Sequence, residues 1–201
     1  MNKHKILRSF VFILIGASLG LVWKAYNAPD TSSSNKNSAI MAPGFNPQFS
    51  LINHDGKAVT AENYNDKYQL VYFGFTFCPE ICPTELQKMA NILKSLGDQS
   101  SQIHPLFISV DPTRDTPEVM KEYLKSFGSE FIGLTGTEAD VDKAMASFKV
   151  YAAKTEDPAY VDYMMAHSSY LYFLNKDGDL LGLYRKEETA EKIADDIKSN
   201  L

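Results

Sequence analysis

Apolar positions between residues 45 and 201 alternate between the spacing of buried strands and the spacing of amphipathic helices. Apolar runs on both sides of short polar turns predict an opening hairpin at 49–60 and a closing hairpin at 169–184. Between and after them, the pattern predicts further strands and helices. The strands are expected at 69–75, 106–110 and 131–134, and the helices at 82–97, 116–128, 137–148 and 188–199.

The order of these elements predicts the architecture. Two strand–helix units followed by an antiparallel hairpin and a last helix are typical of a thioredoxin-like α/β sandwich. The hairpin at 49–60 is expected as an N-terminal addition to that sandwich. The segment 45–201 has the length of one ordinary domain and can bury a core without cross-links.

The N-terminal part of the chain has a different character. Residues 1–8 are basic, and an uncharged apolar run follows them. This layout predicts a basic leader (1–8) and a transmembrane signal anchor (9–26), with a cleaved signal peptide as the competing interpretation. The polar segment 27–44 is expected to be a disordered linker. We therefore expect a single-pass inner-membrane protein with its domain in the periplasm, in preference to a mitochondrial inner membrane with the domain in the intermembrane space.

Composition narrows the classes of partner. The formal net charge is -5, and no basic cluster follows the leader. Both features argue against nucleic acid as a binding partner. The chain has two cysteines, which excludes a framework of structural disulfides.

The two cysteines, Cys78 and Cys82, lie in the motif GFTFCPEICP directly after the predicted strand 69–75. Proline is tolerated at the first helical position, so Pro83 is predicted to begin the next helix, with Cys82 as its N-cap. The free N–H groups and the dipole of a helix N-terminus favour thiolates. The pair is therefore predicted to be a redox dithiol or a clamp for a soft metal, and two inert buried cysteines are the competing interpretation.

A third metal donor is sought among the four histidines. His4 falls in the leader, His54 in a hairpin turn and His104 at the far end of a strand. His167 precedes the closing hairpin, where thioredoxin-like oxidoreductases carry a proline facing their cysteines, and no proline follows Pro158. Two thiolates and one imidazole suit copper, and zinc less selectively. A purely structural histidine is the competing interpretation.

Four ordered motifs resemble a known family. The motifs GFTFCPEICPTELQKM, ISVDPTRDT, FIGLTGTEADVDKA and HSSYLYFLNKDGDLL look like those of the Sco/SenC family of membrane-tethered copper proteins. The resemblance covers about 45–201, and it implies a thioredoxin-like fold with the ligands Cys78, Cys82 and His167 holding one Cu(I) or Cu(II) per chain. It also implies a metallochaperone for the binuclear copper site of cytochrome c oxidase subunit II, served by an upstream copper donor and a thiol reductant.

The function implied by this resemblance is metal transfer rather than catalytic turnover. An alternative from the enzyme class is a thiol–disulfide oxidoreductase whose pair Cys78 and Cys82 reduces the cysteines of oxidase subunit II. His167 discriminates between the two, because a pure reductase does not need it. A peroxidase-like relative is a weaker alternative, because it would need Thr three positions before a cysteine, whereas Thr76 lies two positions before Cys78.

Some positions near the expected site depart from the family pattern or have an open role. Many members have Asp where this chain has Ala166, and some have His where it has Phe77; these departures are expected to affect copper affinity and partner choice and to leave the ligands unchanged. The charged residues after the strand 106–110 favour turns and salt bridges over a role at the site, and the paired methionines favour core packing over copper relay. These residues are Asp111, Arg114, Asp115, Met164 and Met165.

Overall fold

The computed structural model describes residues 45–156, 158–160 and 162–201. The predicted leader, membrane anchor and linker lie outside these described residues. Within the described ranges, no helix is both long enough and apolar enough to cross a membrane. The domain boundary at residue 45 stays a prediction.

The described residues form nine strands and four α-helices. The strands are β1 (Ser50–Asn53), β2 (Ala58–Thr60), β3 (Tyr68–Gly74), β4 (Ile103–Ser109), β5 (Ile132–Thr135), β6 (Ala152–Thr155), β7 (Met164–His167), β8 (Tyr170–Leu174) and β9 (Leu180–Arg185). The helices are α1 (Ile81–Leu96), α2 (Pro117–Leu124), α3 (Glu138–Phe148) and α4 (Ala190–Lys198).

Seven strands form one mixed sheet in the order β2-β1-β5-β4-β3-β8-β9. The three central strands β3, β4 and β5 are parallel, as expected for strands joined by crossover helices. The hairpin β8–β9 extends one edge of the sheet in antiparallel pairing, and the hairpin β1–β2 extends the other. This arrangement confirms the thioredoxin-like sandwich with an N-terminal hairpin.

Strand β3 is buried on both faces, which explains why its sequence is a continuous apolar run. On one face, Tyr72 stacks on Phe107, and Phe107 contacts Tyr123 of α2. On the other face, the Phe73 ring meets Phe148 of α3 edge to face. Helices α1 and α4 pack against each other. The sheet is therefore the middle layer, and β3 leads directly from its centre to the cysteine loop.

One element was missing from the sequence-based prediction. Strands β6 and β7 pair antiparallel as a separate two-stranded sheet, with Ala152 opposite His167 and Thr155 opposite Met164. Their residues are half-buried or exposed without alternation, so the apolar pattern gives no strand signal. His167 is thus the last residue of a strand of its own, rather than a loop residue before β8.

Candidate metal centre

The loop 75–80 carries Cys78 from the end of β3 to helix α1. The helix begins earlier than predicted, because its N-cap is Glu80 rather than Cys82. Cys82 and Pro83 both lie in the first turn, where backbone N–H groups have no partner within the helix. Pro83, which has no N–H, therefore removes no hydrogen bond from the helix. The backbone N–H of Cys82 instead donates to Sγ of Cys78 at 3.3 Å. The N-terminus of helix α1 therefore stabilises the Cys78 sulfur, and the backbone N–H of Cys82 makes the contact.

Cys82 is fully buried, at 0% exposure, against the end of β3. The Tyr72 hydroxyl donates to its Sγ at 3.8 Å. A Cβ built on Gly74 would lie 2.9 Å from this sulfur and 2.8 Å from the Phe107 ring, so only glycine leaves room for it. The role of Gly74 was not predicted from the sequence, although a glycine inside a strand is a known signal of close approach.

His167 brings its imidazole to the same sulfur. Its Nε2 lies 3.5 Å from Cys82 Sγ, and its Nδ1 lies 3.0 Å from the carbonyl oxygen of Ser168. A carbonyl can only accept a hydrogen bond, so Nδ1 carries the proton and Nε2 keeps its lone pair. The rings of Tyr72 and Phe75 meet the imidazole edge to face, with centroids 6.2 and 5.8 Å away. Nε2 is thereby held in the form that can bind a metal.

The electrostatics of the two thiols differ. The hydrogen bond from the Cys82 thiol, aided by backbone N–H groups of the helix start, lowers the pKa of Cys78 to about 5. The same hydrogen bond, together with burial, raises the pKa of Cys82. Burial lowers the pKa of His167, which keeps its imidazole neutral at pH 7. The centre therefore presents one thiolate, one thiol and one neutral imidazole.

This donor set fits a soft metal. Bonds of about 2.3 Å to sulfur and 2.0 Å to imidazole nitrogen, at a tetrahedral angle, place the two donors roughly 3.5 Å apart. Cys82 Sγ and His167 Nε2 stand at that spacing, 3.5 Å. In the part of the chain that the structure describes, no three His, Cys, Asp or Glu side chains are already gathered to hold a metal ion. Cys78, which is half-buried and accepts the backbone N–H of Cys82, would be the third donor.

The charged turn after β4 is hydrogen-bonded to the cysteine loop. Asp115 is fully buried and accepts hydrogen bonds from Thr76 Oγ1 and Ser109 Oγ, each at 2.6 Å, and from the Thr76 backbone N–H at 3.2 Å. Arg114 pairs with Asp111 and, at 3.4 Å, with Asp162. Asp111 and Arg114 thus form the predicted turn and salt bridge, whereas Asp115 acts through hydrogen bonds that tie Thr76 to the end of β4.

The remaining candidate residues lie away from the centre or have packing roles. His54 Nδ1 accepts the backbone N–H of Gly133 at 2.8 Å, and His104 Nε2 pairs with Asp66 at 2.8 Å. Both histidines are thus engaged elsewhere in the fold. The half-buried side chains of Met164 and Met165 pack against the hydrophobic core, as predicted.

The centre opens to solvent beside His167. A cleft of about 790 Å³ runs along this residue, and its walls include Ile81, Tyr151, Tyr170 and Arg185. Tyr151 in this wall is 66% exposed, and Phe77, the residue before Cys78, is 52% exposed. These residues come from separate segments of the sequence, so no local pattern could have grouped them.

The fold and the site define a thioredoxin-like protein with a C-x-x-x-C loop facing a histidine. The SCO1/SenC family model matches residues 37–201. A SCO2-like protein of Rickettsia felis is 40% identical over 156 residues, covering 76% of this chain and 75% of the relative. The mitochondrial SCO2 homolog of Homo sapiens is 35% identical, covering 94% and 73%. The chain therefore belongs to the SCO1/SenC family.

Solved structures agree with this assignment. The structure of Bradyrhizobium japonicum ScoI with copper bound has a TM-score of 0.70 and 38% identity, covering 77% of this chain and 98% of that one. Yeast Sco1 with copper bound has a TM-score of 0.69 and 34% identity, covering 76% and 85%. BsSco, described as having a disulfide switch and as a member of the Sco family of cytochrome c oxidase assembly proteins, has a TM-score of 0.59 and 29% identity, covering 77% and 91%.

Proposed function

We propose that this protein is a copper metallochaperone that holds one copper ion with Cys78, Cys82 and His167. The observation that carries the proposal is the 3.5 Å approach of His167 Nε2 to Cys82 Sγ, with the Nδ1 proton held by Ser168. Thiolate and imidazole donors together are the ligands that copper prefers. The copper-bound structures of family members support the choice of metal.

The three donors contribute in different ways. Cys78 is already a thiolate near neutral pH, and His167 already offers a lone pair. Cys82 gives up its proton when copper binds, because both sulfurs must be thiolates to act as ligands. Cu(I) and Cu(II) both remain candidate cargoes, and one pair of thiols with one imidazole sets a single ion per chain.

The proposed recipient is subunit II of cytochrome c oxidase, whose binuclear copper site would receive the ion. The description of BsSco as a member of a family of cytochrome c oxidase assembly proteins supports this recipient. An upstream copper donor and a thiol reductant are the other proposed partners. The open cleft beside His167 gives a partner protein access to the centre.

The proposed location is a bacterial inner membrane, with residues 9–26 as the anchor and the copper domain in the periplasm. The basic and then uncharged N-terminal sequence supports this orientation. Relatives include both bacterial and mitochondrial proteins, so the intermembrane space is the corresponding alternative.

A second candidate function is reduction of disulfides in the recipient. The observation that favours it is the half-buried thiolate of Cys78 beside the protonated Cys82. In this reaction the Cys78 thiolate attacks one sulfur of the target disulfide and forms a mixed disulfide, releasing a target thiolate. Cys82 then displaces the second target thiolate, which leaves the target reduced and the pair oxidised.

Titration of Cu(I) against a competing chelator tests the main proposal on the full chain in detergent. His167→Ala is expected to weaken copper binding by at least about tenfold while largely preserving reduction of a model disulfide. The matched control is His104→Ala, which removes a histidine that pairs with Asp66 instead. Normal copper affinity in His167→Ala would move the reductase function ahead.

A further inference from the structure

One arginine touches both halves of the candidate metal centre. The centre is built from the cysteine loop 75–80 and from the hairpin β6–β7 that ends in His167. The guanidinium carbon of Arg114 lies 4.6 Å from the ring centroid of Phe77, the neighbour of Cys78. It also lies 3.8 Å from the ring centroid of Tyr163, the residue before β7. Arg114 is therefore in contact with the segments that carry two of the proposed ligands.

Polar contacts fix the Tyr163 side of this connection. Arg114 Nη1 donates to the carbonyl oxygen of Tyr163 at 3.0 Å, and Arg114 Nε pairs with the Asp111 carboxylate. The same carboxylate, only 1% exposed, accepts the Tyr163 hydroxyl at 2.8 Å. Tyr163 is thus held through its backbone, its ring and its hydroxyl at once. Both Arg114 and Asp111 belong to the turn after β4, whose position is set by the central sheet.

The hairpin β6–β7 needs such an attachment. In the described part of the chain it pairs with no strand of the main sheet, and a two-stranded hairpin alone is marginally stable in water. Its residues are half-buried or exposed, and only Ala152, Met164 and Met165 among them pack against the hydrophobic core. The end of the hairpin at His167 is held by hydrogen bonds between Tyr151 and Ser168, and strand β7 begins directly after Tyr163, which contacts Arg114.

We propose that Arg114 is a positioning residue of the metal centre, which sets the separation of the Cys78 loop and His167 by contacting Phe77 and Tyr163 together. This inference rests on the proposed function for its metal-binding consequence. The planar guanidinium suits the role because it can contact aromatic rings and donate several directed hydrogen bonds at the same time. Its Nη2 is buried without a hydrogen-bond acceptor among the described residues, and the guanidinium lies over the rings of Phe77 and Tyr163.

The first test compares two charge-neutralising variants of the full chain. Arg114→Gln is expected to weaken Cu(I) binding by about tenfold, within the range typical of residues that orient metal ligands. The matched control is Arg185→Gln, which removes an equal charge from the wall of the cleft beside His167 but none of the contacts to Phe77 or Tyr163. It should change affinity by less than about twofold, since only screened charge is lost. Equal losses in both variants would reduce the role of Arg114 to its charge and overturn the inference.

The second test needs no metal. In the metal-free wild type, nuclear Overhauser contacts are expected between the His167 imidazole and the Phe75 ring, whose centroids are 5.8 Å apart. Arg114→Gln should weaken these contacts and broaden the backbone resonances of β7, whereas Arg185→Gln should leave both unchanged. Contacts and line widths like those of the wild type in Arg114→Gln would overturn the inference. If the wild type itself binds no copper, the proposed function fails, and this measurement still decides whether Arg114 positions His167.

A milder variant covers the case in which Arg114→Gln does not fold. Phe77→Ala removes one of the two rings under the guanidinium, and Phe77 is 52% exposed, so the core is preserved. It is expected to weaken Cu(I) binding by a smaller factor and to weaken the contact between His167 and Phe75. A Phe77→Ala protein with the copper affinity and Overhauser contacts of the wild type would contradict the proposed connection.

Discussion

The absence of a side chain at Gly74 is what allows the sulfur of Cys82 to lie against the end of β3. An added Cβ would stand 2.9 Å from Sγ, closer than real Cβ atoms approach a neighbour. The rings of Phe107 and Tyr72 would lie 2.8 and 3.0 Å from the same Cβ, so the added atom would be crowded by three side chains. A backbone position in the strand thus determines where a proposed metal ligand can lie.

Gly74→Ala is therefore expected to move Cys82 and to weaken both the fold and the metal centre. Overpacking of this kind typically costs about 1–3 kcal/mol, measurable as a lower free energy of unfolding in urea. Cu(I) affinity should fall as well. The matched control is Gly136→Ala, whose Cβ would meet Leu51 at 3.3 Å, away from the cysteines, and should alter stability less and copper affinity not at all. Unchanged stability in Gly74→Ala would mean that β3 and α1 separate easily.

The two thiols should differ in reactivity towards iodoacetamide. Cys78 is half-buried and has a pKa of about 5, whereas Cys82 is buried with a raised pKa. Because the thiolate is the nucleophile, Cys78 should react first, with a rate that is flat from about pH 6 to 8 and falls as the pH drops through 5. Peptide mapping by mass spectrometry would identify the modified residue. A rate that keeps rising tenfold per unit between pH 7 and 8 would indicate an ordinary thiol at Cys78.

The order of elements was predictable because β3, β4 and β5 are buried runs separated by clear helical periodicity and by good helix caps. Thr116 and Thr137, for example, begin the predicted helices 116–128 and 137–148, and as N-caps they accept the N–H groups of Val119 and Asp140. The start of α1 was misplaced by two residues, because a proline is compatible with several positions in the first turn. Such small differences at helix ends are common.

The ligand candidates were predictable from residue type, but their geometry was not. Cys82 and His167 are 85 residues apart in sequence, and only the fold brings them within 3.5 Å. The hairpin that delivers His167 had no apolar alternation to reveal it, and Tyr163 at its start is hydrogen-bonded to Arg114 and Asp111. Those contacts depend on side chains from distant segments, so periodicity carries no information about them.

Asp115→Asn tests the attachment of the cysteine loop to β4. The wild-type carboxylate accepts hydrogen bonds from Thr76 and Ser109, and an amide can replace only part of this because its NH₂ group would face donors. A loss of about 1–3 kcal/mol in the free energy of unfolding is expected, as for other unsatisfied buried polar groups. Asp140→Asn, in the first turn of α3, is the control, because it alters a carboxylate that accepts the Thr137 hydroxyl at 2.6 Å on the surface, and it should cost less than about 1 kcal/mol. Equal stability of Asp115→Asn and the wild type would show that the Asp115 charge is dispensable for holding the loop.

Oxidation of the two cysteines should abolish tight copper binding. The reduced full chain is expected to bind one copper ion per chain, because one pair of thiols and one imidazole make a single centre. In the oxidised chain both sulfurs are bonded to each other, so the thiolates that act as ligands are consumed. His167 alone would then retain only weak binding, and treatment with a reductant should restore the original stoichiometry.

Metal analysis after gel filtration, with thiol counting on the same samples, measures the copper content and the oxidation state of the cysteines. Cys78→Ser is the control that removes one thiol without forming a disulfide, and it should also bind weakly but should not respond to reductant. Equal copper content in the reduced and oxidised chains would exclude Cys78 and Cys82 as ligands, and the metal would then have to be held elsewhere.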